Sequence, residues 1–170
     1  DGARELVVLV KAPAAEPAQA PTAAAPAARD CLVCHQGLVR EAAFLASAHG
    51  PRGCVACHPA AAQVPHARSP RVARSDIPRL CAGCHGDPAR LKTRHVFSEQ
   101  APVSSYAHTI HGQAFAAGLT GAAVCTDCHG THAVRGSSHP DSRVFRANIP
   151  NTCGRCHRAE QVAYDGSMHG

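Results

Sequence analysis

Val124-Cys125-Thr126-Asp127-Cys128-His129-Gly130-Thr131-His132 holds the pattern that decides how this chain is built. Two cysteines stand three positions apart, and a histidine follows the second at once. The same arrangement occurs at Cys31/Cys34/His35, Cys54/Cys57/His58, Cys81/Cys84/His85 and Cys153/Cys156/His157. These five copies use all ten cysteines of the 170 residues. C-x-x-C-H is the signature of covalent haem attachment. Two thiols add to the two vinyl groups of a porphyrin, and the adjacent imidazole reaches the iron as proximal ligand.

Other uses of paired cysteines fit less well. A thioredoxin-type C-x-x-C needs a βαβ setting and no trailing histidine. Zinc ribbons consume their C-x-x-C pairs two at a time, so five pairs leave one over. Structural disulfides give no reason for the histidine. With 13 histidines in the chain, chance alone almost never puts one after every pair.

Composition points the same way. Trp is absent, Tyr occurs twice, Phe four times and Met once. The 45% of hydrophobic residues is largely Ala and Val, side chains too small to fill a core at normal density. Five flat macrocycles, one for every 34 residues, supply the missing apolar volume. A chain deprived of them is expected to be largely unfolded, as small metal-dependent domains are. The fold class expected is therefore mostly irregular with short α-helices, cored by haem.

The formal charge is +5, with 15 Arg against 2 Lys. A basic chain can point to nucleic acid, but here the cofactor enters the sum. A ferric haem with ionised propionates carries about −1, so five of them offset the excess. Arginine suits propionate pairing through its planar fork. No nucleic-acid partner is expected. No apolar run approaches the ~20 residues of a membrane span. The start at Asp1 is read as that of a mature chain whose signal has been removed.

Residues 5–10, Glu-Leu-Val-Val-Leu-Val, are the best strand candidate. Residues 12–28 are almost all Ala and Pro and form an extended linker. The chain thus divides into an N-terminal strand and arm over 1–29 and a pentahaem domain over 30–170. A lone strand must pair with something, either its own chain or a neighbouring subunit. Helical spacing is clearest over 38–48, where Leu38, Ala42 and Leu45 share a face, and weaker over 113–119 and 158–164. Each C-x-x-C-H is expected on a helical turn.

Five histidines are proximal ligands, which leaves His49, His66, His95, His108, His111, His132, His139 and His169. Methionine is the usual alternative sixth ligand, but only Met168 exists. Bis-histidine ligation is the default, and it implies fairly low potentials.

The chain resembles the multihaem c-type cytochromes of anaerobic respiration over about residues 30–170. Residues 125–132 are similar to their "CTDCHGTH" pattern, and 148–157 to "NIPxTCGxCH". Ser47-Ala48-His49-Gly50, Thr109-Ile110-His111-Gly112 and Ser167-Met168-His169-Gly170 resemble their "SxHG" distal-ligand element, with Thr109 a mild departure. Pro65-His66 resembles another recurrent ligand context. The resemblance implies His49, His66, His111, His132 and His169 as distal ligands, with His95, then His139 and His108, in reserve. His132 lies too close to His129 to swing across the same haem, so it would serve a neighbouring one.

Electron transfer through five haem c groups is the function these readings imply. Two forms are open: a discrete periplasmic carrier, or a subunit of an extracellular filament resembling cytochrome nanowires. The detached strand, the surplus of ligands and the terminal His-Gly favour the filament, in which haem ligation could cross between subunits of a homopolymer. Partners would be redox proteins or extracellular acceptors. By analogy with such cytochromes, the location is outside the cytoplasm. The rival is a reductase, which needs an open iron; five regular motifs and surplus histidine argue against an enzyme.

Overall fold

The computed structural model describes residues 28–35, 37–66, 69, 71–87 and 102–170 as a succession of short helices joined by tight turns. The strand expected at 5–10, the arm up to residue 27, and His95 lie outside the described residues. Helix occupies about half of the described residues, and no strand occurs among them. The first helix, α1 (Ala28–Cys34), begins within the last residues assigned to the arm. There follow α2 (Glu41–Leu45), α3 (Ile77–His85), α4 (Pro102–Ala107), α5 (Ile110–Ala116), α6 (Cys125–His129), α7 (Ile149–Gly154) and α8 (Arg158–Asp165). Single 3-10 turns sit at Gly50–Arg52, Pro59–Ala61, Arg74–Asp76 and Arg146–Asn148.

Two of the helices that carry C-x-x-C motifs are built alike. Asp76-Ile77-Pro78 opens α3 and Asn148-Ile149-Pro150 opens α7. Each follows a 3-10 turn and carries proline in its first turn. There the missing N–H is no loss, and the fixed φ is already helical. The cysteines come four residues after each isoleucine. The α6 turn is made differently: Asp127 Oδ2 accepts from the Val124 N–H at 2.7 Å, and Gly130 ends it at φ 80°, where a side chain would be strained.

Very little apolar side chain is buried. Phe44, Ala122 and Val124 are the buried hydrophobic residues among those described. Val33, Leu38, Val64, Ile110, Ile149, Val162 and Met168 are exposed, several of them next to a cysteine pair or a candidate ligand. Three buried apolar residues among those described give little of the hydrophobic stabilisation that offsets ordering entropy.

What fixes the elements to one another is largely polar. Ala48 N donates to Val134 O at 2.8 Å, and Arg135 reaches the Ala46 carbonyl. Tyr106 OH donates to Ala123 O at 2.9 Å, which docks α4 on the lead-in to α6. Asn148 Nδ2 donates to Pro140 O and Ser142 O at 2.7 and 2.8 Å, tying the lead-in of α7 to the loop before it. Helix α3 packs against α4 and α6, α4 against α5, and α7 against α8.

Candidate metal centres

Each C-x-x-C-H segment lies on a helix or a helical turn. His58 N donates to Cys54 O at 3.0 Å, and His157 N to Cys153 O at 2.9 Å. His35 N donates to Cys31 O at 3.1 Å. All ten thiols are free of disulfides.

Three candidate distal histidines sit in one recurrent turn. Phe44, Tyr106 and Tyr164 each precede a Ser or Thr by three positions, and the His-Gly follows. Ser47 N, Thr109 N and Ser167 N donate to the carbonyls of those aromatic residues, each at 2.9 Å. Ser47 Oγ accepts from His49 N at 3.3 Å and Gly50 N at 3.0 Å. Thr109 Oγ1 accepts from Gly112 N at 3.1 Å and donates to Tyr106 O at 2.7 Å. Ser167 Oγ accepts from His169 N at 3.2 Å and donates to Tyr164 O at 2.7 Å. A Cβ on Gly50, Gly112 or Gly170 would overlap the carbonyl of Phe44, Tyr106 or Tyr164 respectively. Glycine after the histidine is thus a steric requirement. The aromatic residue three before the Ser or Thr was a further signal, legible in the sequence but absent from the pattern read there.

Four pairs of imidazoles then face one another. His35 and His66 have ring centroids 6.0 Å apart. His49 and His85 are at 5.9 Å, His58 and His132 at 6.1 Å, and His111 and His157 at 5.9 Å. Every pair joins one attachment histidine to one candidate distal histidine. The interplanar angles run from 16° to 79°, yet the separation hardly varies. An imidazole nitrogen binds a first-row metal at about 2.0–2.1 Å. The ring centre lies about 1 Å further back, so two rings on one metal have centroids about 6 Å apart. A fixed separation with free rotation fits a shared axial metal better than ring stacking, whose distances range over about 4.5–7 Å.

Ring environment agrees with ligation. His66 Nδ1 lies 2.7 Å from Gln63 O, the backbone partner that orients a ligating imidazole. Burial pushes the pKa of His132 down, helped by His58, and that of His129 down, helped by His85. Both rings are thereby favoured in the neutral form that binds metal.

Among the described residues, the remaining histidines are not brought into pairs. Among the described residues no second ring faces His129 or His169 at such a distance. His108 Nδ1 lies 2.7 Å from Ser104 O. His139 Nδ1 accepts from Asp141 N at 3.1 Å. No group of three or more His, Cys, Asp or Glu side chains gathers among the described residues to hold a metal by itself. A porphyrin iron needs only two axial ligands from the protein, so facing pairs beside free cysteine pairs fit that group. The exposed apolar side chains around the turns fit it as well.

The attachment turns adjoin in chain order. The Cys54 thiol is raised in pKa chiefly by burial, and the neighbouring Cys31 adds to it. Burial also raises Cys57, with Cys84 of the third turn adding to it. Cys81 and Cys125 act on each other, which raises the pKa of Cys81 and lowers that of Cys125 to about 7. Burial raises Cys128, and Cys153 and Cys156 contribute. Thiols of the first and second, second and third, third and fourth, and fourth and fifth turns thus each influence one another's pKa.

Arg74 and Asp127 tie the third turn to the fourth. Arg74 Nη1 and Nη2 donate to Asp127 Oδ1 and Oδ2 at 3.1 and 2.7 Å. This fork holds the Asp127 carboxyl below its usual pKa range. Comparison with protein-family models, curated proteins and solved structures finds no match to this chain.

Proposed function

We propose that this chain attaches five haems c through its ten cysteines, ligates their irons between histidines, and conducts electrons along them in chain order. The observation that carries the reading is the set of four histidine pairs at 5.9–6.1 Å. Each pair combines a C-x-x-C-H histidine with one from elsewhere in the chain. When bound, the haem iron supplies one-electron chemistry between its ferric and ferrous states. The residues do the rest. His35 and His66, His58 and His132, His85 and His49, and His157 and His111 would hold the irons between them. The adjoining cysteine turns keep consecutive sites close. Burial and neighbouring charge tune potential.

This is an electron-transfer role rather than an enzymatic one, located outside the cytoplasm, with redox proteins or extracellular acceptors as partners. No helix among the described residues is long and apolar enough to cross a membrane. The test is direct. Holoprotein should show a Soret band, and its mass should exceed that of the chain by five haems. A colourless protein of unmodified mass would end the proposal.

A specific observation favours the filament over the discrete carrier. His169 occupies the same turn as His49 and His111, both of which face an attachment histidine. It is a prepared ligand whose iron would belong to a second copy, in a homopolymer joined by haem ligation. Negative-stain microscopy separates the forms: fibres for the filament, dispersed particles for the carrier. A reductase would instead leave one iron open to small ligands such as carbon monoxide.

A further inference from the structure

We infer that Arg74 is a positioning residue that sets the spacing of the third and fourth haems. The inference rests on the proposed haem reading and deepens it. Arg74 lies in the 3-10 turn directly before α3, which carries Cys81, Cys84 and His85. Its guanidinium crosses to the fourth site and spans that site's whole lead-in. Nε donates to Thr120 O at 3.0 Å and Nη2 to Ala122 O at 2.8 Å. Nη1 and Nη2 hold the two oxygens of Asp127, which lies between Cys125 and Cys128. Asp127 Oδ2 in turn accepts from Val124 N at 2.7 Å, so the carboxylate clamps the start of its own turn.

One side chain therefore joins the entry of the third attachment helix to the entry and interior of the fourth. These segments are separated by the longest gap between attachment motifs in the chain. The clamp acts where the helix that carries Cys81 packs against the helix that carries Cys125. An exposed ion pair contributes little to global stability; Arg74 and Asp127 are each partly exposed. A two-pronged fork with two further carbonyl bonds does fix position, since the guanidinium is planar and rigid. Orientation at this level of detail is what redox centres in series need from a protein.

Lysine keeps the charge and loses the fork, which separates position from electrostatics. In holoprotein, Arg74→Lys and Arg74→Gln should both retain five haems, by mass and by haem absorbance. Both should lose intensity in the paired positive and negative Soret bands of circular dichroism that report haem–haem coupling. Haem methyl resonances should shift for the two haems bonded to Cys81/Cys84 and Cys125/Cys128, and stay in place for the other three. In Arg74→Gln alone, the unneutralised Asp127 should also lower the potential of the fourth haem. Asp127→Asn should give the same pair of shifted haems with its potential moved the opposite way. Unchanged Soret coupling and methyl shifts in both Arg74 variants would overturn the inference. So would equal shifts in all five haems, which would mean general loosening. Absence of haem from the wild-type chain would instead defeat the underlying reading.

Discussion

The imidazole of His132 faces that of His58 at 6.1 Å between ring centres, although His132 lies only three residues beyond His129. On the proposed reading, a histidine so close to one attachment motif would serve another. The short link Gly130-Thr131 would then tie the second and fourth irons to one piece of backbone. His132→Ala should convert one haem of five from low to high spin, namely the haem on Cys54 and Cys57, and added imidazole should restore it. His132→Met should leave that haem low-spin and raise its potential. Electron paramagnetic resonance reads the first change and a redox titration the second. A spin change at the fourth haem in place of the second would refute the pairing.

The glycine after each distal histidine gives a second prediction. A methyl on Gly112 would meet the Tyr106 carbonyl and the Ala107 Cα. The turn must open, and His111 rides on it. Gly112→Ala should weaken axial ligation of the haem on Cys153 and Cys156, seen as carbon monoxide binding to one haem of five. Gly136→Ala is the control, since nothing lies within 4 Å of a Cβ there; it should change stability by no more than about 0.5 kcal/mol. Equal carbon monoxide binding by the two variants would show that the turn does not hold His111.

The candidate attachment motifs stand out in the sequence because their chemistry is local: two thiols and one imidazole must come from five consecutive residues. His49, His66, His111 and His132 stand out there as candidate ligands from their neighbours in sequence. Their partners were not. His49 and His111 reach forward to His85 and His157, whereas His66 and His132 reach back to His35 and His58. Nothing within a short stretch encodes that direction; it depends on how the intervening turns fold. Arg74 and Asp127 are hidden for the same reason, as a fork across 53 positions leaves no periodic trace. Short helices were expected, but their ends depend on capping and 3-10 lead-ins that spacing alone does not give.

The scarcity of buried apolar side chains leads to a third prediction. Phe44, Ala122 and Val124 cannot hold eight short helices in place, and isolated helices of five to nine residues are unstable in water. A chain with all ten cysteines replaced by alanine should lose most of its far-ultraviolet helical signal. Its backbone amides should exchange within the dead time of a hydrogen-exchange experiment. Holoprotein under the same conditions should be protected around all five attachment turns. A cysteine-free chain with holoprotein-like protection would mean that the polypeptide cores itself.

His169 supplies the last prediction. Its turn repeats the bonds that present His49 and His111, down to the Ser167 hydroxyl on the Tyr164 carbonyl. The neighbouring Met168 is 98% exposed, so the ring sits on an open face of the chain. If that ring ligates the iron of another copy, ligation must depend on concentration. Wild-type protein should show only low-spin haem when assembled, and one high-spin haem of five after dilution to single chains. His169→Ala should show that high-spin haem at every concentration and form no fibres, while His139→Ala should behave as wild type. A dilution series read by electron paramagnetic resonance and light scattering decides the matter. Low-spin haem throughout in His169→Ala would leave the terminal histidine without a role in ligation, and the discrete carrier would then be the better description.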